Sequence, residues 1–158
     1  MKIPGVVMVL VGGFSLFLQY SRTLRQEMAL IRDLISALSL LESGIRWKKL
    51  PLPQGIRELA ARKVSGKYFA QVSENMVGES TLQSAWNDTF SKFQPEIADI
   101  LCAVEWSGDS QQIQGSLQYT AQQLMELYRS KESSLHQREK LCAAAALSGA
   151  GLLVIILI

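Results

Sequence analysis

Residues 28–53, MALIRDLISALSLLESGIRWKKLPLP, carry the clearest helical pattern of this chain and the point where it stops. Their apolar positions recur at the 3.6-residue spacing of an α-helix: Met28, Ile31, Leu34, Ile35, Leu38, Leu41 and Ile45. No helix breaker separates this stripe from the residues before it. The prolines in 50–53 end the helix, because proline lacks an amide donor and clashes with the preceding turn. The stretch therefore predicts one long amphipathic helix that ends near Lys49.

The rest of residues 22–140 also has helical spacing and no strand-like alternation. Each further helix is predicted to start at a proline, a capping residue or a turn. Three of these helices are predicted at residues 54–63, after Pro53, at residues 68–76 and at residues 96–106. A further helix carries Leu82, Trp86 and Phe90 on one face and is capped by Ser80 or Thr81. The last is a long helix capped by Ser110. The predicted fold is all-α: a six-helix bundle whose first and last helices stand antiparallel.

Charge is confined to the middle of the chain. No acidic or basic residue lies between Lys2 and Arg22 or after Lys140, so all 14 acids fall in residues 22–140. An uncharged stretch of about 19 residues rises roughly 28 Å as a helix, close to the thickness of the hydrocarbon core. The sequence therefore predicts a transmembrane helix at 1–21, a cytoplasmic bundle at 22–140 and a transmembrane helix at 141–158.

Both end segments have a second interpretation. Residues 1–21 could be a cleaved signal peptide, although no small-residue cleavage site follows the apolar core, and 141–158 could be a buried core helix. The positive-inside rule places the middle in the cytoplasm and both termini outside, because the flanking Lys and Arg residues lie on the bundle side. Four small residues spaced for close helix packing are predicted to contact another membrane helix, or simply reflect membrane-helix composition: Ala145, Gly149, Ala146 and Ala150.

Reactive groups are sparse. The net charge of +2 gives no field to gather nucleic acid, and the sequence has no C-x-x-C, no H-E-x-x-H and no phosphate-binding glycine loop. The lone His136 lies in a charged stretch and is expected to be solvated. We therefore predict no enzyme, no cofactor and no metal site.

Two groups of residues leave alternatives open. Trp47, Trp86 and Trp106 could line a ligand cavity, which would suit a small membrane-anchored sensor or regulator, or they could be core and membrane-edge aromatics. The basic residues Arg46, Lys48 and Lys49 could be solvated or could bind lipid headgroups.

Two stretches resemble the cytoplasmic module of type II secretion system F proteins, which is a six-helix bundle. Residues 34–61, LISALSLLESGIRWKKLPLPQGIRELAA, resemble its first helical hairpin, with Pro51 and Pro53 at the start of the second helix. Residues 97–124, IADILCAVEWSGDSQQIQGSLQYTAQQL, resemble its later helix-turn-helix, with Glu105, Ser107 and Gly108 at the matching positions.

The single module, with an apolar segment at each end, is similar to the stage III sporulation protein AB family. This resemblance implies a platform in the channel complex between mother cell and forespore, located in the mother-cell membrane around the forespore. It also implies that the bundle docks a secretion-type ATPase, stage III sporulation protein AA, and that the protein oligomerises with other channel subunits. We expect the ATPase to contact residues 49–54 and 78–80, the loops farthest from the bilayer.

Overall fold

The computed structural model describes residues 3–78 and 81–157, and within those ranges it contains six α-helices and no β-strand. This confirms the predicted all-α class. The helices are α1 (Ile3–Lys48), α2 (Leu52–Leu59), α3 (Gly66–Met76), α4 (Leu82–Phe90), α5 (Pro95–Cys102) and α6 (Ser110–Leu157).

The two long helices, α1 and α6, form an antiparallel pair, which we call the long pair. Tyr20 of α1 contacts Arg138 of α6, whereas Glu27, farther along α1, contacts Lys131, which comes earlier in α6. At about 1.5 Å per residue, the 46 residues of α1 and the 48 of α6 each extend roughly 70 Å. The prediction that each long helix continues from the charged middle into an uncharged end is confirmed.

The apolar stripe of α1 faces the core, as its spacing predicts. The buried positions lie three or four residues apart, and each is at most 3% exposed: Ile31, Leu34, Leu38 and Leu41. They pack with buried residues of α6 such as Leu117 and Leu124. The buried stripe is therefore the face of α1 that packs against α6 and the short helices.

An aromatic cluster fills the space between the short helices. Trp86 and Phe90, one turn apart on α4, are fully buried with ring centroids 4.4 Å apart. The Phe69 ring of α3 lies 6.0 Å from each of them. Trp86 Nε1 donates a 2.8 Å hydrogen bond to Leu101 O of α5, so the buried indole N–H has a partner. The cluster therefore joins α3, α4 and α5.

Two helices end earlier than the sequence predicts. α2 ends at Leu59 rather than near residue 63, because the chain turns so that Arg62 and Ser65 reach Asp33 of α1. α5 ends at Cys102 rather than Trp106, because the side chain of Gln83 binds the backbone beyond it. Gln83 Nε2 donates to Val104 O at 3.0 Å, and Trp106 N donates to Gln83 Oε1 at 3.1 Å.

The starts of the helices also refine the predictions. Thr81 caps α4 as predicted, since its hydroxyl oxygen accepts from Ser84 N at 3.3 Å. The predicted cap of α6 is wrong by one residue: Asp109, not Ser110, accepts from Gln112 N at 2.8 Å, and a carboxylate also suits the positive end of the helix dipole. α3 begins at Gly66 instead of residue 68.

In the part of the chain that the structure describes, none of the helices combines the length and the apolar character needed to cross a membrane. The side chains that lie outside this description are concentrated in the two ends of the chain, at 1–6, 9–10, 16–17, 143, 146–147 and 149–158. The two transmembrane segments therefore stay predictions.

Candidate docking surface

The end of α1 distant from the uncharged termini meets α2 at a tight corner. Lys49 adopts a left-handed conformation with φ of 49°, and Leu50 N donates to Gly44 O at 3.2 Å. Pro51 precedes α2 and Pro53 lies in its first turn, and both are exposed. The corner therefore stops α1 where the prolines predict.

Glycine allows α2 to pack closely on α1 after this corner. A Cβ atom added at Gly55 would lie 2.6 Å from Leu41 Cδ1, which is well inside van der Waals contact. Beside this contact, a groove of about 440 Å³ lies between the last turns of α1 and residues of α2 and the segment that follows it. Its lining includes buried Leu41 and Leu59 and exposed Leu40 and Trp47, and we call it the tip groove.

The exposed residues of the tip groove are large and apolar. Trp47 is 76% exposed and Leu40 is 54% exposed. The Arg46 guanidinium lies 5.2 Å from the Trp47 ring centroid and pairs with Glu42 at 3.8 Å. Lys48 and Lys49 are exposed and have no carboxylate within 4.0 Å among the described residues. The tip groove is thus an apolar cleft with Lys48 in its lining and Lys49 next to it, while exposed Glu58 of α2 also lines it.

The second motif predicted from the sequence forms the turn before α6. Gly108 has φ of 119°, a region that favours glycine, and an added Cβ would lie 2.0 Å from Gln112 Oε1. Glu105 N donates to Ser116 Oγ at 3.0 Å, which holds the turn against α6. The side chains of Glu105 and Ser107 are exposed. The structure therefore gives Gly108 a conformational role.

The structure brings together only two of the three tryptophans. Trp86 and Trp106 pack edge to face with centroids 4.7 Å apart, and both are buried. Trp47 lies apart from them at the tip groove. Within the described residues, the predicted cavity lined by all three is not formed.

The other predicted sites are only partly described. Val77 and Gly78 form an exposed turn after α3, and residues 79–80 of the expected contact loop lie outside the described residues. Ala145 is exposed, whereas the side chains of Ala146, Gly149 and Ala150 lie outside the description. His136 is exposed, and its Nδ1 lies 3.9 Å from Glu139 Oε2. No group of three or more His, Cys, Asp or Glu residues in the described part is placed to hold a metal.

Sequence reasoning missed a polar network that fixes the α2–α3 loop to α1. Asp33 Oδ2 accepts from Ser65 N at 2.9 Å and from Ser65 Oγ at 2.6 Å, while Arg62 pairs with Asp33 Oδ1. Partial burial alone would raise the pKa of Asp33, but the hydrogen bonds from Arg62 and Ser65 and the Arg62 charge outweigh it and lower the pKa to about 2. We call this network the Asp33 clasp.

A second missed network joins three helices. Lys131 Nζ of α6 lies 2.8 Å from Glu27 Oε1 of α1 and 2.9 Å from Glu96 Oε2 of α5. Burial alone would lower the pKa of Lys131, but the hydrogen bonds and charges of the two carboxylates outweigh it and raise the pKa above its ordinary value. We call this network the Lys131 clasp. Glu27 and Glu96 are 104 and 35 residues from Lys131 in the chain, so no local spacing reveals them.

With the geometry established, comparison with known proteins identifies the family. The family model described as stage III sporulation protein AB matches residues 2–158, which is essentially the whole chain. The chain belongs to the stage III sporulation protein AB family. This confirms the resemblance predicted for the family and links the chain to sporulation. Neither the curated proteins nor the solved structures contain a match to this chain.

Proposed function

We propose that this protein is a non-catalytic membrane platform of the sporulation channel complex between mother cell and forespore. Its two uncharged ends anchor it in the mother-cell membrane, and its bundle docks a secretion-type ATPase in the cytoplasm. One observation carries the proposal: the long pair is antiparallel, so both uncharged ends leave the bundle on the same side. The charged and folded part of the molecule extends from the other side.

Contacts between α1 and α6 at the boundary of the uncharged ends support this anchoring. Arg138 Nη1 donates to Tyr20 Oη at 3.0 Å, and the Arg138 guanidinium lies 5.7 Å from the Tyr20 ring centroid. Arg25 pairs with Glu139 at 3.0 Å nearby. Tyrosine and arginine suit the headgroup layer, where one part of the side chain is apolar and the other is hydrated. These contacts hold the two helices together where they would enter the bilayer.

The two clasps support a mechanical role for the bundle. The Asp33 clasp ties the α2–α3 loop to α1, and the Lys131 clasp ties α5 to both long helices. Because α1 and α6 are continuous, a displacement of the short helices would be passed along the long pair. A platform that converts ATP hydrolysis by a partner into movement within a membrane needs such a connection.

Co-purification tests the proposal. The full chain, carrying an affinity tag, is expressed with stage III sporulation protein AA of the same organism and solubilised from membranes with detergent. We expect the ATPase to be retained by the full chain and lost from a variant in which residues 22–140 are deleted. Retention by the deletion variant, or a full chain that stays in the supernatant after detergent-free ultracentrifugation, would refute the platform function.

A further inference from the structure

The tip groove combines two features that are unusual for an unoccupied protein surface. Trp47 is 76% exposed, and it stands beside exposed Leu40 and a groove of about 440 Å³ whose floor includes buried Leu41 and Leu59. Exposed tryptophan beside an apolar cleft is a typical feature of binding interfaces, where tryptophan and arginine supply much of the binding energy. This geometry is therefore typical of a surface that binds another protein.

The charge around the tip groove differs from that of the rest of the chain. Residues 40–63 contain six bases and two acids, a net charge of +4, whereas the whole chain has a net charge of +2. The remainder therefore has a net charge of −2. Among the charged lining residues, Arg62 is paired with Asp33 and Glu58 is acidic. Lys48 in the lining and Lys49 beside it have no carboxylate within 4.0 Å among the described residues. The complementary occupant is acidic.

Two other occupants fit these observations less well. A second copy of this chain, docked by the same surface across a two-fold axis, would bring two strongly basic surfaces together. A lipid surface fits less well because the membrane would lie at the uncharged ends of the long pair, far from the tip groove. Trp47 is 25 residues along α1 from Arg22, which corresponds to roughly 37 Å of helix.

We propose that the tip groove docks an acidic segment of a partner protein. An apolar side chain of that segment enters the groove beside Trp47 and Leu40, and its carboxylates pair with Lys48 and Lys49. This assignment rests on the proposed function, because it makes the tip groove the place where the bundle holds its cytoplasmic partner. It deepens that function by defining the partner's chemistry and the residues that recognise it.

Affinity measurements with the secretion-type ATPase as the probe test the assignment. The full-length chain in detergent is compared with Trp47→Ala and with the double variant Lys48→Glu/Lys49→Glu. We expect each to weaken binding about tenfold or more, since truncation of a central aromatic contact and reversal of two facing charges both act on the docked segment. Binding by the wild-type chain should also weaken as salt rises, and it should depend less on salt in the charge-reversal variant.

Matched controls separate docking from general effects. Tyr119→Ala removes a 61% exposed aromatic side chain from α6 that does not line the groove, and Lys67→Glu/Lys92→Glu makes the same charge change elsewhere on the bundle. We expect both to bind within about twofold of wild type. Because Trp47 is mostly exposed, the melting temperature of Trp47→Ala should match that of wild type.

The outcomes distinguish this assignment from the proposed function. If the ATPase binds the wild-type chain and all variants equally, the tip groove is not the docking site, although the platform function stands. If the wild-type chain does not bind the ATPase, the platform function and this assignment are both overturned. If Trp47→Ala leaves ATPase affinity unchanged and abolishes binding to vesicles of anionic lipid, the groove binds lipid and the assignment is wrong.

Discussion

Asp33 is the residue whose ionisation contributes most clearly to stability. Its pKa of about 2 lies below the ordinary value of 3.8, and its side chain is only 17% exposed. The lowered pKa corresponds to about 2 kcal/mol of folding free energy at neutral pH. Because the folded pKa is depressed, this stabilisation is present above the unfolded pKa and is lost as pH falls through the folded pKa.

Replacing Asp33 tests this linkage. We expect Asp33→Asn to lower the free energy of unfolding by about 2 kcal/mol at pH 7. It should also reduce the loss of stability between about pH 4 and pH 2, as measured by denaturant unfolding in detergent at each pH. Asp88→Asn, at an exposed position on α4, is the control and should retain the wild-type pH dependence. Equal acid sensitivity of Asp33→Asn and wild type would contradict the role of the Asp33 clasp.

Gly66 is required by the close approach of two backbone segments. A Cβ atom at this position would lie 2.5 Å from Ala60 O, and a backbone oxygen cannot move aside as a side chain can. We expect Gly66→Ala to lower the free energy of unfolding by roughly 1–3 kcal/mol. Gly115→Ala on α6 is the matched control: it meets no atom within 4 Å and should stabilise by about 0.5–1 kcal/mol through helix propensity. In thermal melting, the melting temperature should fall below that of wild type for Gly66→Ala and rise above it for Gly115→Ala. A change of the same sign in both variants would contradict this explanation.

At the scale of elements, the short helices are held to the long pair by apolar packing and by the two clasps. The Lys131 clasp is the one that touches three helices, α1, α5 and α6. The Glu27 side chain is 11% exposed and that of Lys131 is 18% exposed, whereas Glu96 is 62% exposed. Removal of Lys131 would therefore leave the Glu27 carboxylate buried without its partner.

We expect Lys131→Met to destabilise the protein by about 3 kcal/mol, and the double variant Lys131→Met/Glu27→Leu to recover most of that loss. The Lys131 pKa is raised above the ordinary value of 10.5, so its contribution is present below the unfolded pKa and is lost as pH rises through the folded pKa. Arg25→Met removes a pair whose arginine side chain is 71% exposed and should cost less than about 1 kcal/mol. Denaturant unfolding of the four proteins checks this order, and a double variant no more stable than Lys131→Met would contradict it.

The elements also show where sequence reasoning succeeds. The length of α1, the stop at the prolines, and the Thr81 cap follow from local spacing and local chemistry. The early ends of α2 and α5 do not, because Asp33 and Gln83 bind the backbone or side chains beyond those helices. Gln83 and Trp106 are 23 residues apart, and a periodic pattern contains no information about such a contact.

For the whole molecule, the antiparallel long pair makes the proposed topology testable. If both uncharged ends span the membrane and the protein is produced in the plasma membrane of non-sporulating cells, a protease added outside the intact cells should leave residues 22–140 uncut. The same protease should digest this region after the membrane is permeabilised, which is the control. The measurement is a blot against an epitope in the exposed turn near Gly78. Digestion in intact cells would show that the bundle faces outward and would contradict the proposed cytoplasmic docking.

The sequence alone determined the all-α class, the two long helices and the separation of charged middle from uncharged ends, because helical spacing and charge are local properties of a chain. It also placed the end of α1 at the prolines in 50–53. Only the tertiary structure decided which polar groups pair, as in the Asp33 and Lys131 clasps, and which tryptophan stays at the surface. The helical spacing of apolar residues in the sequence is the same whether those residues end up buried or exposed. Their burial is set by the elements that fold against them, and this is why Trp86 lies in the core and Trp47 at the tip groove.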